Sequence, residues 1–278
     1  MYVTDPSDDK KRIEATKGGL LKGAYRWVLD DTDFKKWHEE PQSRLLWIKG
    51  DPGKGKTMLL CGIIDELESS KPQSALLSYF FCQATDSRIN SATSVLRGLL
   101  YMLVRQQLSL ASHVREKYDH AGKNTFEDVN TWVALAEIFA NVLQDKNLTT
   151  TYLLVDALDE CITDLPNLLG FIAEQSSASP RVKWIVSSRK WPEIEGPIEQ
   201  IGCKVRLCLE LNAASVSKAV QTSIEEIVSG LAKLKRYDYE VRGAVLAHLT
   251  LNANDTFLWV ALACQHLQKT TKRHVLKK

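Results

Sequence analysis

The sequence predicts an α/β protein: a parallel five-stranded sheet flanked by helices, followed by a small helical domain. Three observations carry this. Short apolar runs of strand length alternate with longer stretches of helical period as far as Leu209, the pattern of β-α units. One such run, Leu45-Leu46-Trp47-Ile48, leads directly into Gly50-Asp51-Pro52-Gly53-Lys54-Gly55-Lys56-Thr57 and then into the apolar stretch Met58 to Ile64. From about Leu211 onward the period is helical throughout.

Residues 1–40 read as a lead-in segment, polar and charged, with an amphipathic stretch through Leu20, Leu21, Tyr25, Trp27, Val28 and Leu29. It suits either packing against a ligand or service as a surface helix and linker. Residues 41–210 read as the core. There, Gly50 to Thr57 match G-x-x-x-x-G-K-[ST], the phosphate-binding P-loop, in the strand-loop-helix setting the motif needs. Glycines let the backbone wrap a phosphate with its N–H groups pointing inward, and the following helix turns its positive end to the same anion. Gly50, Asp51, Pro52, Gly53, Lys54, Gly55, Lys56, Thr57 and Met58 are the candidate nucleotide-binding residues. Lys56 is suited to the β and γ phosphates and Thr57 to a magnesium ion.

A polar breaker at Glu68 to Pro72 precedes a second strand, Ala75 to Cys82. A helix through Val95, Leu96, Leu99, Leu100, Met102 and Leu103 follows, with Ser91 and Ser94 as capping candidates. The polar stretch His113 to Asn124 reads as a connection, and Trp132, Leu135, Ile138, Phe139 and Val142 as a helical face. The next strand, Tyr152-Leu153-Leu154-Val155-Asp156, ends in an acid, as a central parallel strand does when it delivers a carboxylate to a ligand crevice. Asp156 joins Thr57 as the candidate magnesium-site pair, and Asp159 or Glu160 is placed to activate water. After a helix through Leu165 and Ile172, the strand Val182 to Arg189 ends in Ser187, Ser188 and Arg189. Arg189 at that edge suits a γ-phosphate, or else pairs with Glu193 or Glu195. Trp191-Pro192 predicts an extended exit, and Lys204 to Leu209 a last strand. Residues 211–278 read as a helical lid domain with stripes through Val216 to Leu231, Val241 to Leu249 and Phe257 to Leu267.

The chain of 278 residues, with 44% hydrophobic and 25% charged residues, has the balance of an ordinary globular protein. A net charge of +2 gives no footprint for nucleic acid or an anionic membrane, and the basic cluster Lys269, Lys272, Arg273, His274, Lys277, Lys278 reads as a solvated helix end. No apolar run has the length of a membrane span, and the start is not that of a secretory signal. Six cysteines, Cys61, Cys82, Cys161, Cys203, Cys208 and Cys264, are scattered without a C-x-x-C pair. They read as buried free thiols, and with the missing signals they point to a cytoplasmic protein.

With the P-loop, Asp156-Ala157-Leu158-Asp159-Glu160 and Ser187-Ser188-Arg189 in this order, the sequence resembles the NACHT-type (nephrocystin-like) STAND ATPases, and among them the fungal vegetative-incompatibility and NOD-like group. The lead-in Asp8 to Glu14, Lys17 to Leu21 and Tyr25-Arg26-Trp27, together with Ser43 to Gly50 and Thr256 to Val260, matches the fungal group, so the resemblance covers nearly the whole chain. It implies an ASCE-type sheet, with an additional strand between the P-loop strand and the magnesium-site strand, and a helical lid. It also implies a switch that is closed with ADP, opens and self-associates with ATP, and hydrolyses ATP slowly with Mg2+, with Asp159 or Glu160 as base and Arg189 reporting the γ-phosphate. In the fungal group the outcome is non-self recognition and programmed cell death. Longer relatives carry an effector domain before the module and repeats after it. The sequence shows neither, and it stops before the winged-helix domain that helps relatives hold ADP. Asn254-Asp255-Thr256 stand where wider relatives have a Gly-x-Pro that touches the base. The alternatives are a nucleotide-binding scaffold or truncated fragment without turnover, and a continuously active P-loop ATPase.

Overall fold

In a computed structural model, residues 4–17, 19–121, 130–200 and 205–269 are described. The apolar runs form β1 (Leu45–Lys49), β2 (Leu76–Phe81), β3 (Thr151–Asp156), β4 (Val182–Ser188) and β5 (Val205–Cys208), paired in parallel in the order β2-β3-β4-β1-β5. β4 therefore lies between the P-loop strand and the strand that ends in Asp156, as the resemblance implies. Parallel strands all finish at one edge, so Lys49, Asp156 and Ser188 come together although they are far apart in sequence.

Side chains alternate between the two faces of the sheet. Leu45, Trp47, Leu153, Val155, Trp184 and Val186 pack on one side, beneath α6 (Ala92–Gln106), α8 (Thr131–Gln144), α9 (Leu165–Ala178) and α10 (Pro192–Gln200). Leu46, Ile48, Leu154 and Ile185 pack on the other, against α5 (Lys56–Ser70), which follows the P-loop. The same apolar cluster continues into α2 (Lys22–Tyr25), α3 (Trp27–Asp30) and α4 (Thr32–Glu39), and into α11 (Ala213–Lys235), α12 (Tyr239–Asn252) and α13 (Phe257–Lys269). Lead-in and C-terminal helices thus share one core with the P-loop helix.

The lead-in begins with α1 (Pro6–Thr16), capped by Asp5, which accepts from Ser7 N–H at 2.9 Å and also takes the Arg105 guanidinium at 2.9 Å. Lys10, nearly buried, bridges α1 to α5 through Asp65 at 2.5 Å. Ser91 caps α6 by accepting from Ser94 N–H, as its sequence suggests. The outer edge of β2 is closed by a side chain: Gln106 donates to Leu77 O at 2.7 Å and accepts from Leu77 N–H at 3.1 Å. An open edge would offer unpaired backbone groups to other chains.

Three local expectations are corrected. His113 to Asn124 is not a plain connection: it lies mostly in α7 (Ala111–Ala121), with residues 122–124 outside the described residues. Val114 packs on the core, while His113 pairs with Asp145 at 2.7 Å and Lys117 with Glu137 at 2.5 Å, so charge hides the periodicity. The Trp191-Pro192 exit opens α10, with Pro192 at the first helical position, where its missing N–H costs nothing. The breaker predicted from Glu68 acts three residues later, at Lys71, since α5 continues to Ser70. Lys204, Cys203 and the basic residues beyond Lys269 lie outside the described residues. The five described cysteines are free and buried, and among the described residues no helix is long and apolar enough to cross a membrane.

Candidate functional site

The loop after β1 has the backbone its glycines suggest. Gly53 and Gly55 take φ of +78° and +85°, where an L side chain is strained. Space forbids one as well: a Cβ on Gly53 would lie 2.8 Å from Thr256 Cγ2, and one on Gly55 2.7 Å from Phe257 Cδ2. Gly55 is the N-cap of α5 and offers no side chain to the first N–H groups of that helix. A helix start left in this way is suited to an anion.

Above the loop is a cavity of about 450 Å³. Pro52 through Met58 line it, as do Asp156, Asp159, Glu160 and Arg189. Gly50 and Asp51 serve the site from behind, since their carbonyls hold the Lys56 ammonium at 2.6 and 3.0 Å. Burial pushes the Lys56 ammonium below its ordinary value, against the pull of Asp159 and Asp156. The opposite wall is apolar, with Leu20, Leu21 and Trp27 from the lead-in and Val216, Ile227 and Val260 from the C-terminal helices.

Asp156 is buried at the end of β3. Burial raises its carboxyl above the ordinary range, offset by hydrogen bonds from Ser187 and Thr57. The predicted magnesium pair is therefore in contact: a hydroxyl and a carboxylate, hard oxygen donors of the kind that ion takes. Ser187 Oγ also accepts from Ala157 N–H at 2.9 Å, which holds Ala157 in its left-handed turn of φ 55°.

Asp159 is buried and engages Arg189 twice, accepting from its backbone N–H at 2.9 Å and from Nε at 3.0 Å. Arg189 does not take Glu193 or Glu195; Glu195 pairs instead with Lys49 at 3.0 Å. Glu160 accepts from Ala84 N–H at 3.1 Å. Asn254, Asp255 and Thr256 lie against the P-loop. The Lys54 ammonium donates to Asp255 O at 3.2 Å and Leu258 N–H to Gly53 O at 3.4 Å, and Asn254 and Asp255 have positive φ of 45° and 55°.

Two site residues have no assigned role in the sequence reading. Ser187 appears there only as one of two hydroxyls at a strand end, and strand phase was the available clue to which one faces Asp156. Glu210 carried no motif. It accepts from Asp51 N–H at 2.6 Å and pairs with Lys190 at 2.8 Å, tying the P-loop to the ends of β4 and β5.

The sheet order, the glycine loop and the acid at the end of β3 define a P-loop nucleotide-binding module of the NACHT type. The family model described as nephrocystin 3, N-terminal, matches residues 23–189, and the chain belongs to that family. It is 59% identical over 280 residues to the vegetative incompatibility protein HET-E-1 of Podospora anserina; the match takes in 100% of this chain and 21% of that protein. Among solved structures it is similar to the Aeropyrum pernix ORC1 protein in complex with DNA, at 15% identity and a TM-score of 0.49, covering 99% of this chain and 66% of that one. A second is C. elegans PCH-2, at 11% identity and a TM-score of 0.39, covering 99% of this chain and 62% of that one. Both likenesses are too remote to bear on function.

Proposed function

We propose that the chain is a nucleotide switch that binds ADP or ATP with Mg2+ and hydrolyses ATP slowly, with self-association following the bound nucleotide. Residues 41–210 form the nucleotide core, 211–278 the lid, and 1–40 a lead-in packed on both. The observation that carries this reading is the glycine cradle closed over by Thr256 and Phe257, with Thr57 and Asp156 in contact at its floor. Lys56 exchanges the carbonyls of Gly50 and Asp51 for phosphate oxygens. Thr57 and Asp156 would hold magnesium, which would supply charge neutralisation on the phosphate chain.

Phosphoryl transfer to water needs mainly positioning and charge neutralisation. Asp159 spends both carboxylate oxygens on Arg189, which suits it to positioning that arginine and leaves Glu160 as the general base. A γ-phosphate competes with Asp159 for the same guanidinium, so hydrolysis waits on that exchange. This favours a switch over a continuously active ATPase. By similarity to a vegetative incompatibility protein, the module serves fungal non-self recognition leading to cell death. Effector and repeat segments are then its working partners and the cytoplasm its setting.

The test is the nucleotide released on denaturing the purified protein, with Lys56→Ala in parallel, followed by ATP titration of both and of Glu160→Gln. The parent is expected to bind ATP, Lys56→Ala to lose about 100-fold or more in affinity, and Glu160→Gln to bind without releasing phosphate. Parent-like ATP affinity in Lys56→Ala defeats the site assignment, and undiminished turnover in Glu160→Gln defeats the base assignment.

A further inference from the structure

Among the described residues, four cations line the cavity: Lys17, Lys54, Lys56 and Arg189. Three are committed to protein groups. Lys54 holds the carbonyl of Asp255, Lys56 those of Gly50 and Asp51, and Arg189 the carboxylate of Asp159. Lys17 lies just past the end of α1, and its backbone N–H caps that helix at Ile13 O, 3.0 Å away. Among the described residues its ammonium makes no hydrogen bond or ion pair within the protein.

We propose that Lys17 is a phosphate-contacting residue contributed from outside the P-loop, a second lysine beside Lys56 for the phosphate chain of a nucleoside di- or triphosphate. The inference rests on the nucleotide reading of this cavity and adds to it a specific contact from the lead-in.

The lysine is held where it can act. α1, whose C-cap is Lys17, is fastened to α6 at its N-cap by Asp5 and Arg105 at 2.9 Å and to α5 near its middle by Lys10 and Asp65 at 2.5 Å, so the helix that leads to Lys17 is anchored to the core. A lysine is a mobile point charge on a flexible stem, able to follow a phosphate without fixed geometry. Leu20, Leu21 and Trp27, on the same segment, line the cavity with apolar surface. One short stretch of chain therefore presents both a cation for phosphate and a flat apolar wall for a base. Because α1 leads into this stretch, loss of phosphate charge at the site weakens the hold on the lead-in directly, without passing through the lid.

The experiment titrates ATP, ADP and adenosine into the 278-residue chain and into Lys17→Ala and Lys17→Arg, at low and high salt with Mg2+ constant. Lys17→Ala is expected to weaken ATP about tenfold, the scale of one partly exposed charge-assisted contact. Adenosine affinity stays unchanged, Lys17→Arg retains most of the ATP affinity, and the loss shrinks at high salt. ATP affinity equal to the parent in Lys17→Ala, or an equal loss for ATP and adenosine, overturns the inference and leaves Lys17 as a helix cap. A lowered melting temperature of nucleotide-free Lys17→Ala with unchanged affinities overturns it in the same way. A parent that binds no ATP overturns the nucleotide reading itself, and this inference with it.

Discussion

Asp156 is buried, and the proposed magnesium role needs it charged. Its burial raises the carboxyl, and the Ser187 and Thr57 hydroxyls work against that rise. Removing a donor from a buried carboxylate costs about 1–3 kcal/mol, so Ser187→Ala is expected to lower the melting temperature and to weaken ATP binding in Mg2+ more than in EDTA. A loss of affinity relative to the parent that is the same with and without Mg2+ would show that Ser187 does not support the ion site. Glu210 behaves in the opposite sense. Burial pushes it up, but the Lys190 ammonium and the Asp51 N–H outweigh burial and pull its carboxyl from 4.5 down to about 2. A depressed acid stabilises the fold above its unfolded value and loses that contribution as pH falls toward the folded value. Glu210→Gln should therefore cost about 1 kcal/mol at pH 7, after allowance for solvent screening, and should flatten the fall in stability between pH 4.5 and about 2. Urea unfolding at several pH values measures this; an unchanged slope over that window refutes the assignment. Neither Ser187 nor Glu210 had an assigned role in the sequence, because each acts through partners brought in by folding, and Glu210 lies 159 residues from Asp51.

Helix α5 couples the phosphate loop to the lead-in through Gly62, where a Cβ would lie 2.1 Å from Tyr25 Cγ. The contact is between a helix backbone and an aromatic ring, and neither can give way cheaply. Gly62→Ala is expected to destabilise the protein by about 1–3 kcal/mol and to reduce nucleotide retention by pushing α2 off the P-loop helix. Gly170 in α9 is the control, with nothing within 4 Å of its added Cβ; there alanine should stabilise by about 0.5–1 kcal/mol through helix propensity. Thermal melts of both variants decide the matter, and equal effects at the two glycines would mean that the Tyr25 contact does not matter. This coupling has no counterpart in the sequence pattern. Gly62 reads there as one small residue in an apolar helix, and Tyr25 as one member of an amphipathic stripe. Helix α7 shows the converse, since its charged residues bond to neighbours that the local sequence does not name.

Across the whole molecule, one apolar cluster joins the lead-in, the P-loop helix and the three C-terminal helices, and the cavity opens among all of them. A ligand there stabilises every wall at once, by about 2.7 kcal/mol at one hundred times its dissociation constant. ATP and ADP should both raise the melting temperature, and only ATP should raise the mass in sedimentation; a mass that ignores both nucleotides would argue for a binding scaffold. The strands, the phosphate loop and the acid at the end of β3 were legible in the sequence because each is written in consecutive residues, as an apolar run, a glycine spacing or a run ended by a charge. What only the tertiary structure decided is pairing between distant segments: Arg189 with Asp159 rather than a neighbouring glutamate, Ser187 hydrogen-bonded to Asp156, Thr256 and Phe257 over the glycines, and Lys17 in the lining of the cavity. Parallel order brings strand ends together whatever their separation along the chain, and hydrogen bonds and ion pairs depend on distance in space, which sequence spacing does not record.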